Sequence, residues 1–256
     1  MPETIFLETT IQIDKTFQTA ARRLRIAENL QGKTIITSTY VLGEYKTTFL
    51  KACVVFYNLL FDADTVAEAL QRLSRALPRD RDYRRCVMLF AFLLEESGTE
   101  KDRLLIRLQR LLEGELARKF YQGVDLVINP TDCFLSRISA KKEGNRYLLI
   151  NDSCRKNLSQ CDICKFWETN RKSLQKVVEG LKTQGDKDLQ EKAQVGGETL
   201  ENLSEALGRR NCSTLADIII ALEAPVEAKI YTTNVKHFFP ILKILGKELY
   251  EEKNNS

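Results

Sequence analysis

Three acidic residues in this chain stand beside apolar elements, where a lone carboxylate is costly. Glu8 follows the run Ile5-Phe6-Leu7, Glu44 lies inside Val41-Leu-Gly-Glu44-Tyr, and Asp217 sits in Ala216-Asp217-Ile218-Ile219. A carboxylate on an oily face loses several kcal/mol of solvation unless it is paired or holds a cation. Three such acids, far apart in sequence, point to a metal-centred site assembled by the fold. The strand pattern Lys229-Ile-Tyr ends in the polar turn Thr232-Thr-Asn234, and the Asn234 carbonyl oxygen could join the acids as a ligand.

Cysteines carry a second signal. Cys161-Asp-Ile-Cys164 is a CxxC, with Cys154 seven residues ahead of it and Cys133 further upstream. Four thiolates in a tetrahedron would make a closed structural zinc site. An iron–sulfur cluster would use the same ligands, and unmetallated thiols are the plain alternative. Cys53 and Cys86 lie in apolar helices as core residues, and Cys212 carries no readable signal. No GxSxG, HExxH or Gly-rich phosphate loop is present, which disfavours those hydrolase and nucleotide-dependent chemistries. His237, the single histidine, reads as structural.

In order and setting, the acids resemble those of the PIN-domain family of metal-dependent ribonucleases. Members open with a strand leading into Asp-Thr-Asn, matched by Glu8-Thr9-Thr10, and carry a Glu on the next helix, matched by Glu44 after Ile35-Ile36-Thr37-Ser38. An Ala-Asp helix follows, matched by Ala216-Asp217, and a closing strand ends Thr-x-Asp ahead of a Phe, here Thr232-Thr-Asn234 ahead of Phe238. The match covers roughly the first fifty and last forty-five residues.

The resemblance implies a three-layer αβα fold with a mainly parallel central sheet. It also implies Mg²⁺ or Mn²⁺ held by Glu8, Glu44 and Asp217 with Asn234 assisting, for hydrolysis of RNA phosphodiesters. Thr9 and Thr232 would orient ligands or waters, and basic residues would hold the RNA. Two departures qualify this. Glu8 replaces an Asp, and Asn234 replaces another and brings no charge, so a second ion is harder to hold. A weakly catalytic RNA- or protein-binding module is therefore the alternative. A third reading is an α/β protein whose zinc-stapled insert is an interaction module.

The elements that must position these residues read as follows. Residues 3–8 are predicted as a strand, 14–30 as a helix, Lys33–Thr37 as a strand, and Ser38 as the N-cap of a helix running through Glu44 to about Phe61. Thr65-x-x-Glu68 is a capping box for a helix ended by Pro78. Further helices are predicted near 82–96, with Val87, Phe90 and Leu94 on its face, and near 100–119 with a leucine stripe. Gly123–Ile128 and Tyr147–Ile150 are predicted strands, the latter as the second arm of a hairpin. Residues 168–182 are predicted helical and 183–198 a surface linker. One PIN-like domain follows, with a core from about 1–61 and 200–250, a helical elaboration at 62–125, and a basic cysteine-containing segment at 126–199.

Composition fits a globular protein, with 43% hydrophobic and 29% charged residues and a net charge of +4. From Arg137 to Lys182 there are eleven Lys/Arg against five Asp/Glu, 11 − 5 = +6, more than the whole-chain excess. This segment is a candidate phosphate-binding footprint, with Lys165, Arg171 and Lys172 contacting RNA and Trp167, Phe166 or Tyr147 stacking on bases. A solvated helix face is the alternative. Nothing in the chain reads as a signal peptide or membrane span, which makes a cytoplasmic location the expectation. A protein regulator or self-association is compatible with the sequence.

Overall fold

The computed structural model describes residues 2–76, 81–154, 160–203 and 209–252. The chain begins with β1 (Thr4–Leu7), α1 (Thr9–Phe17), α2 (Ala20–Leu30), β2 (Thr34–Ser38) and α3 (Thr39–Asp62). Four helices follow: α4 (Val66–Ala76), α5 (Arg81–Ser97), α6 (Lys101–Arg110) and α7 (Leu116–Tyr121). Next come β3 (Leu126–Ile128), β4 (Ser139–Glu143), β5 (Arg146–Ile150), α8 (Ile163–Thr169) and α9 (Arg171–Lys182). The described chain closes with α10 (Lys187–Glu201), α11 (Arg209–Thr214), α12 (Ala216–Glu223), β6 (Lys229–Tyr231) and α13 (Val235–Leu245).

The chain is mixed α/β around a parallel four-stranded sheet of order β3-β2-β1-β6. Its strands are apolar on both sides because both faces are covered. Ile5, Leu7 and Ile35 pack with Ile11, Ile26, Tyr231 and Tyr250 on one face. Phe6, Ile36 and Ile230 join a larger core with Val41, Ile219 and Phe238, from α3, α12 and α13, on the other. Parallel pairing puts the carboxyl ends of β1, β2 and β6 on one edge, where open α/β sheets place ligands. β3, at the start of the basic cysteine-containing segment, pairs with β2 and so belongs to the sheet.

Ser38 caps α3 as expected, its hydroxyl accepting from Val41 N at 3.2 Å. The capping box forms in part: the Thr65 hydroxyl accepts from Glu68 N at 3.2 Å, while the Glu68 carboxylate accepts from Asp64 N at 2.8 Å, one residue before the cap. Pro78, expected to end this helix, lies outside the described residues. Tyr147–Ile150 is the second arm of a hairpin, antiparallel to β4. Among the described residues no helix is long and apolar enough to cross a membrane.

Several elements differ from expectation. The single helix over 14–30 is two, because Gln18 and Thr19 leave the helical conformation and Thr19 caps α2 through Arg22 N at 3.4 Å. The helix over 100–119 is broken at Leu111–Glu115, where Gly114 adopts φ 125°, a conformation open mainly to glycine. On α5 the buried face is Cys86, Leu89, Phe92 and Leu93, while Val87 is 42% exposed. The strand over 123–128 is paired only from Leu126, after Gly123 at φ 68°.

The largest correction concerns residues 183–198: only 183–186 form a short connection, and 187–198 belong to helix α10 rather than to a linker. Asp186 caps α10, its carboxylate accepting from Asp188 N at 2.9 Å and Leu189 N at 3.2 Å. Leu189, Lys192, Ala193, Gly196 and Thr199 make one buried face at helical spacing. Gly196, which reads as a loop residue in isolation, lets α10 close on α9: a Cβ there would stand 2.6 Å from Val178 Cγ2.

Candidate metal centre

Glu8 ends β1 and caps α1. Its backbone N–H donates to Tyr231 O at 3.1 Å, continuing the β1–β6 pairing. The residue is 4% exposed, and its carboxylate gathers three donors on one oxygen, Oε2. These are Thr10 N at 2.9 Å, the Thr10 hydroxyl at 2.5 Å and the Thr232 hydroxyl at 2.9 Å. Each threonine also accepts from the β6 turn, Thr10 Oγ1 from Thr233 N at 3.0 Å and Thr232 Oγ1 from Asn234 N at 2.9 Å. The Thr232-Thr-Asn234 turn is thereby tied to the end of β1, and Oε1 takes none of these bonds.

Glu44 lies in the second turn of α3 and accepts from the Thr9 hydroxyl at 2.6 Å. Asp217, in the first turn of α12, accepts from Asn234 Nδ2 at 3.4 Å through Oδ1. Its Oδ2 faces Lys192 Nζ at 3.0 Å and His237 Nδ1 at 3.4 Å. His237, expected to be merely structural, thus touches the acid group, and its Nε2 lies 3.6 Å from Asp188 Oδ2.

Burial pushes the Glu8 carboxyl up to about 7, against the hydrogen bonds from Thr10 and Thr232, and the Asp217 charge adds to the rise. Burial pushes Glu44 up to about 8, opposed by Thr9 and reinforced by the charges of Glu8, Asp217 and Glu223. The four carboxyls therefore share one field. Glu223 was not among the residues singled out from sequence. It lies on α12, is 5% exposed, accepts from the Thr131 hydroxyl at 2.8 Å and is itself pushed up to about 7 by burial.

Glu8, Glu44, Asp217, Asn234, Thr9 and Thr232 are thus brought into one neighbourhood by β1, α3, α12 and β6. The carboxylates do not pack into a tight cluster. Among the described residues only Asp186, Asp188 and His237 hold three ligand atoms all within 4.8 Å of one another. The donor set of the acid group is all oxygen, which suits a hard divalent cation, and Mg²⁺ usually keeps several waters that can bridge wider gaps. In donor chemistry, though not in ligand spacing, the residues present suit such an ion. Lys192, like Glu223, is a residue that sequence reasoning missed, and the apolar stripe of α10 is the signal that could have found it.

The expected RNA contacts divide. Lys165, Arg171 and Lys172 are exposed on α8 and α9, with Arg171 Nη2 donating to Leu200 O at 2.6 Å. Trp167, Phe166 and Tyr147 are buried, Trp167 at 1% exposure, so none is free to stack on a base. Their apolar rings are core, packed with α3 and α9 residues in the main cluster.

Of the cysteines, Cys53 and Cys86 are buried core as expected. No disulfide joins any of the seven. Cys133, Cys154 and Cys161 line one cavity, together with Cys212, Tyr40 and Glu44. Cys164 is not on its lining, and its sulfur lies 3.4 Å from Leu203 O.

Comparisons with protein-family models, with curated proteins and with solved structures give no match.

Proposed function

We propose that this protein is a divergent PIN-like, metal-dependent endoribonuclease. The observation that carries the reading is the meeting of Glu8, Glu44, Asp217 and Asn234, from four separate segments, at the carboxyl edge of a parallel sheet. Acids with raised proton affinity in a shared field are common at working centres.

Bound Mg²⁺ or Mn²⁺ would supply an activated water and would neutralise the charge developing on the phosphodiester. Glu8, Glu44 and Asp217 would offer oxygens to that ion, with the Asn234 amide oxygen assisting. Thr232 and Thr10 hold Glu8 in place, and Thr9 holds Glu44, so the ligands are oriented before any ion arrives. Lys192, whose ammonium stands beside Asp217, would offer positive charge to the substrate phosphate. Lys165, Arg171 and Lys172 would hold the strand by charge alone, since the neighbouring rings are buried.

The test is cleavage of a mixed structured and single-stranded RNA pool with Mg²⁺ or Mn²⁺, with wild type beside Asp217→Asn. EDTA-sensitive cutting that is lost in a folded Asp217→Asn variant supports the reading.

One observation favours the weakly catalytic alternative: the ammonium of Lys192 already neutralises Asp217. On that reading the protein retains RNA, or a protein partner, without cutting it. RNA held on a filter but intact in every metal would decide for the binding module.

A further inference from the structure

Six of the seven cysteines fall into two populations, with Cys164 outside both. Two are core, whereas four line one cavity of about 210 Å³ beside the acid group. The four come from four segments: Cys133 follows β3, Cys154 follows β5, Cys161 precedes α8, and Cys212 lies on α11. The fold pins these segments to one another. Asp162 N donates to Thr131 O at 2.9 Å, tying the Cys161 loop to the Cys133 loop. Arg137 Nη1 donates to Gln160 O at 3.2 Å, across the same two loops. The Tyr40 hydroxyl donates to Cys212 O at 2.6 Å, anchoring α11 to α3. Gly43 lets α3 approach, since a Cβ there would stand 3.3 Å from Cys133 Sγ.

We propose that Cys133, Cys154, Cys161 and Cys212 bind one structural zinc ion through four thiolates. Thiolate sulfur is the donor that selects zinc over the hard cations suited to carboxylates, so this centre is chemically separate from the acid group. Cys212, unreadable in sequence, takes the place that spacing alone would give to Cys164. The cavity walls stand wider than a closed tetrahedron, because no three of these sulfurs lie within 4.8 Å of one another. Zinc binding therefore turns the thiol side chains inward within loops that the fold already ties together, and releases one proton per thiol that becomes thiolate.

The consequence is mechanical. Cys212 stands five residues before Asp217, and Glu44 lines the same cavity. A zinc ion there braces both the α11–α12 corner and α3, which carry two of the site acids. The zinc centre does not depend on the nuclease reading, because its readouts are metal content, spectrum and stability.

The experiment is elemental analysis of the purified, reduced full-length protein, followed by Co²⁺ substitution read by visible absorption. The expected result is about one zinc per chain and the intense bands of a tetrahedral thiolate site. Cys212→Ser should lose the four-thiolate spectrum, while Cys164→Ser should keep it. If Cys212→Ser fails to fold, the wild type itself serves: its melting temperature should fall on chelation and recover with zinc. The proposal is overturned by a reduced protein without zinc or Co²⁺ bands, by iron with inorganic sulfide instead, or by loss in Cys164→Ser with retention in Cys212→Ser.

Discussion

The ammonium of Lys192 lies 3.0 Å from the Asp217 carboxylate, and Lys192 is only 9% exposed. A buried lysine on α10 thus meets the acid that α12 carries, and its Nζ also donates to Thr214 O at 3.1 Å. The pair makes α10 a wall of the acid group. It also means that the ion-free site already holds one cation. An incoming divalent ion must compete with it.

Replacing Lys192 by Met should destabilise the ion-free protein by about 3–5 kcal/mol, because one partner removed from a buried pair leaves an uncompensated charge. Mn²⁺ should then raise the melting temperature of the variant more than that of the wild type. Thermal melts with and without Mn²⁺ check both points. An equal shift in the two proteins would show that Lys192 does not occupy the cation position.

Glu8 and Glu44 titrate from an ordinary 4.5, and burial raises them to about 7 and about 8. The folded protein therefore holds protons that the unfolded chain has released, so their contribution to stability is complete below 4.5. It is lost as pH rises through about 7 and then about 8. Melting temperatures of ion-free protein should fall over this window, and Glu8→Gln should flatten part of the slope. Divalent ions should bind more tightly across the same window as the carboxyls ionise.

Gly196→Ala should cost about 1–3 kcal/mol, because the new methyl must displace Val178 from a packed helix pair. Since the same helix carries Lys192, the variant should also weaken the response of stability to Asp217→Asn. A double-mutant cycle by denaturant unfolding measures that coupling.

Thr9→Val removes the hydroxyl that donates to Glu44 at 2.6 Å, a bond of about 1.5–3 kcal/mol when the acceptor is charged. Glu44 should keep its proton to higher pH, so the pH profile of Mn²⁺ affinity should move upward. Thr9→Ser should restore it. An unchanged profile would remove Thr9 from its positioning role.

The sheet and its edge were legible because strands buried on both faces read as apolar runs, and because Ser38 and Thr65 carry caps in their side chains. Glu8, Glu44 and Asp217 stood out because charge beside apolar neighbours demands a partner. The partners themselves were not legible. Lys192 lies in a stretch whose Gly196-Gly197 pair and polar content resemble a loop, and only contact with Val178 explains the glycine. Trp167 reads as a base-stacking platform because it lies in the basic 137–182 segment, but its ring completes the core. Cys212 and Glu223 depend on long-range closure, with Tyr40 and Thr131 holding them from distant segments.

The most direct measurement is a Mn²⁺ titration followed by electron paramagnetic resonance, with wild type beside Glu44→Gln and Asp217→Asn. The account expects one Mn²⁺ to be taken up by the wild type, as loss of the free-ion signal, and uptake to be weakened strongly in both folded variants. Uptake that is absent in the wild type, or unchanged in Asp217→Asn, would contradict a cation site built from these acids.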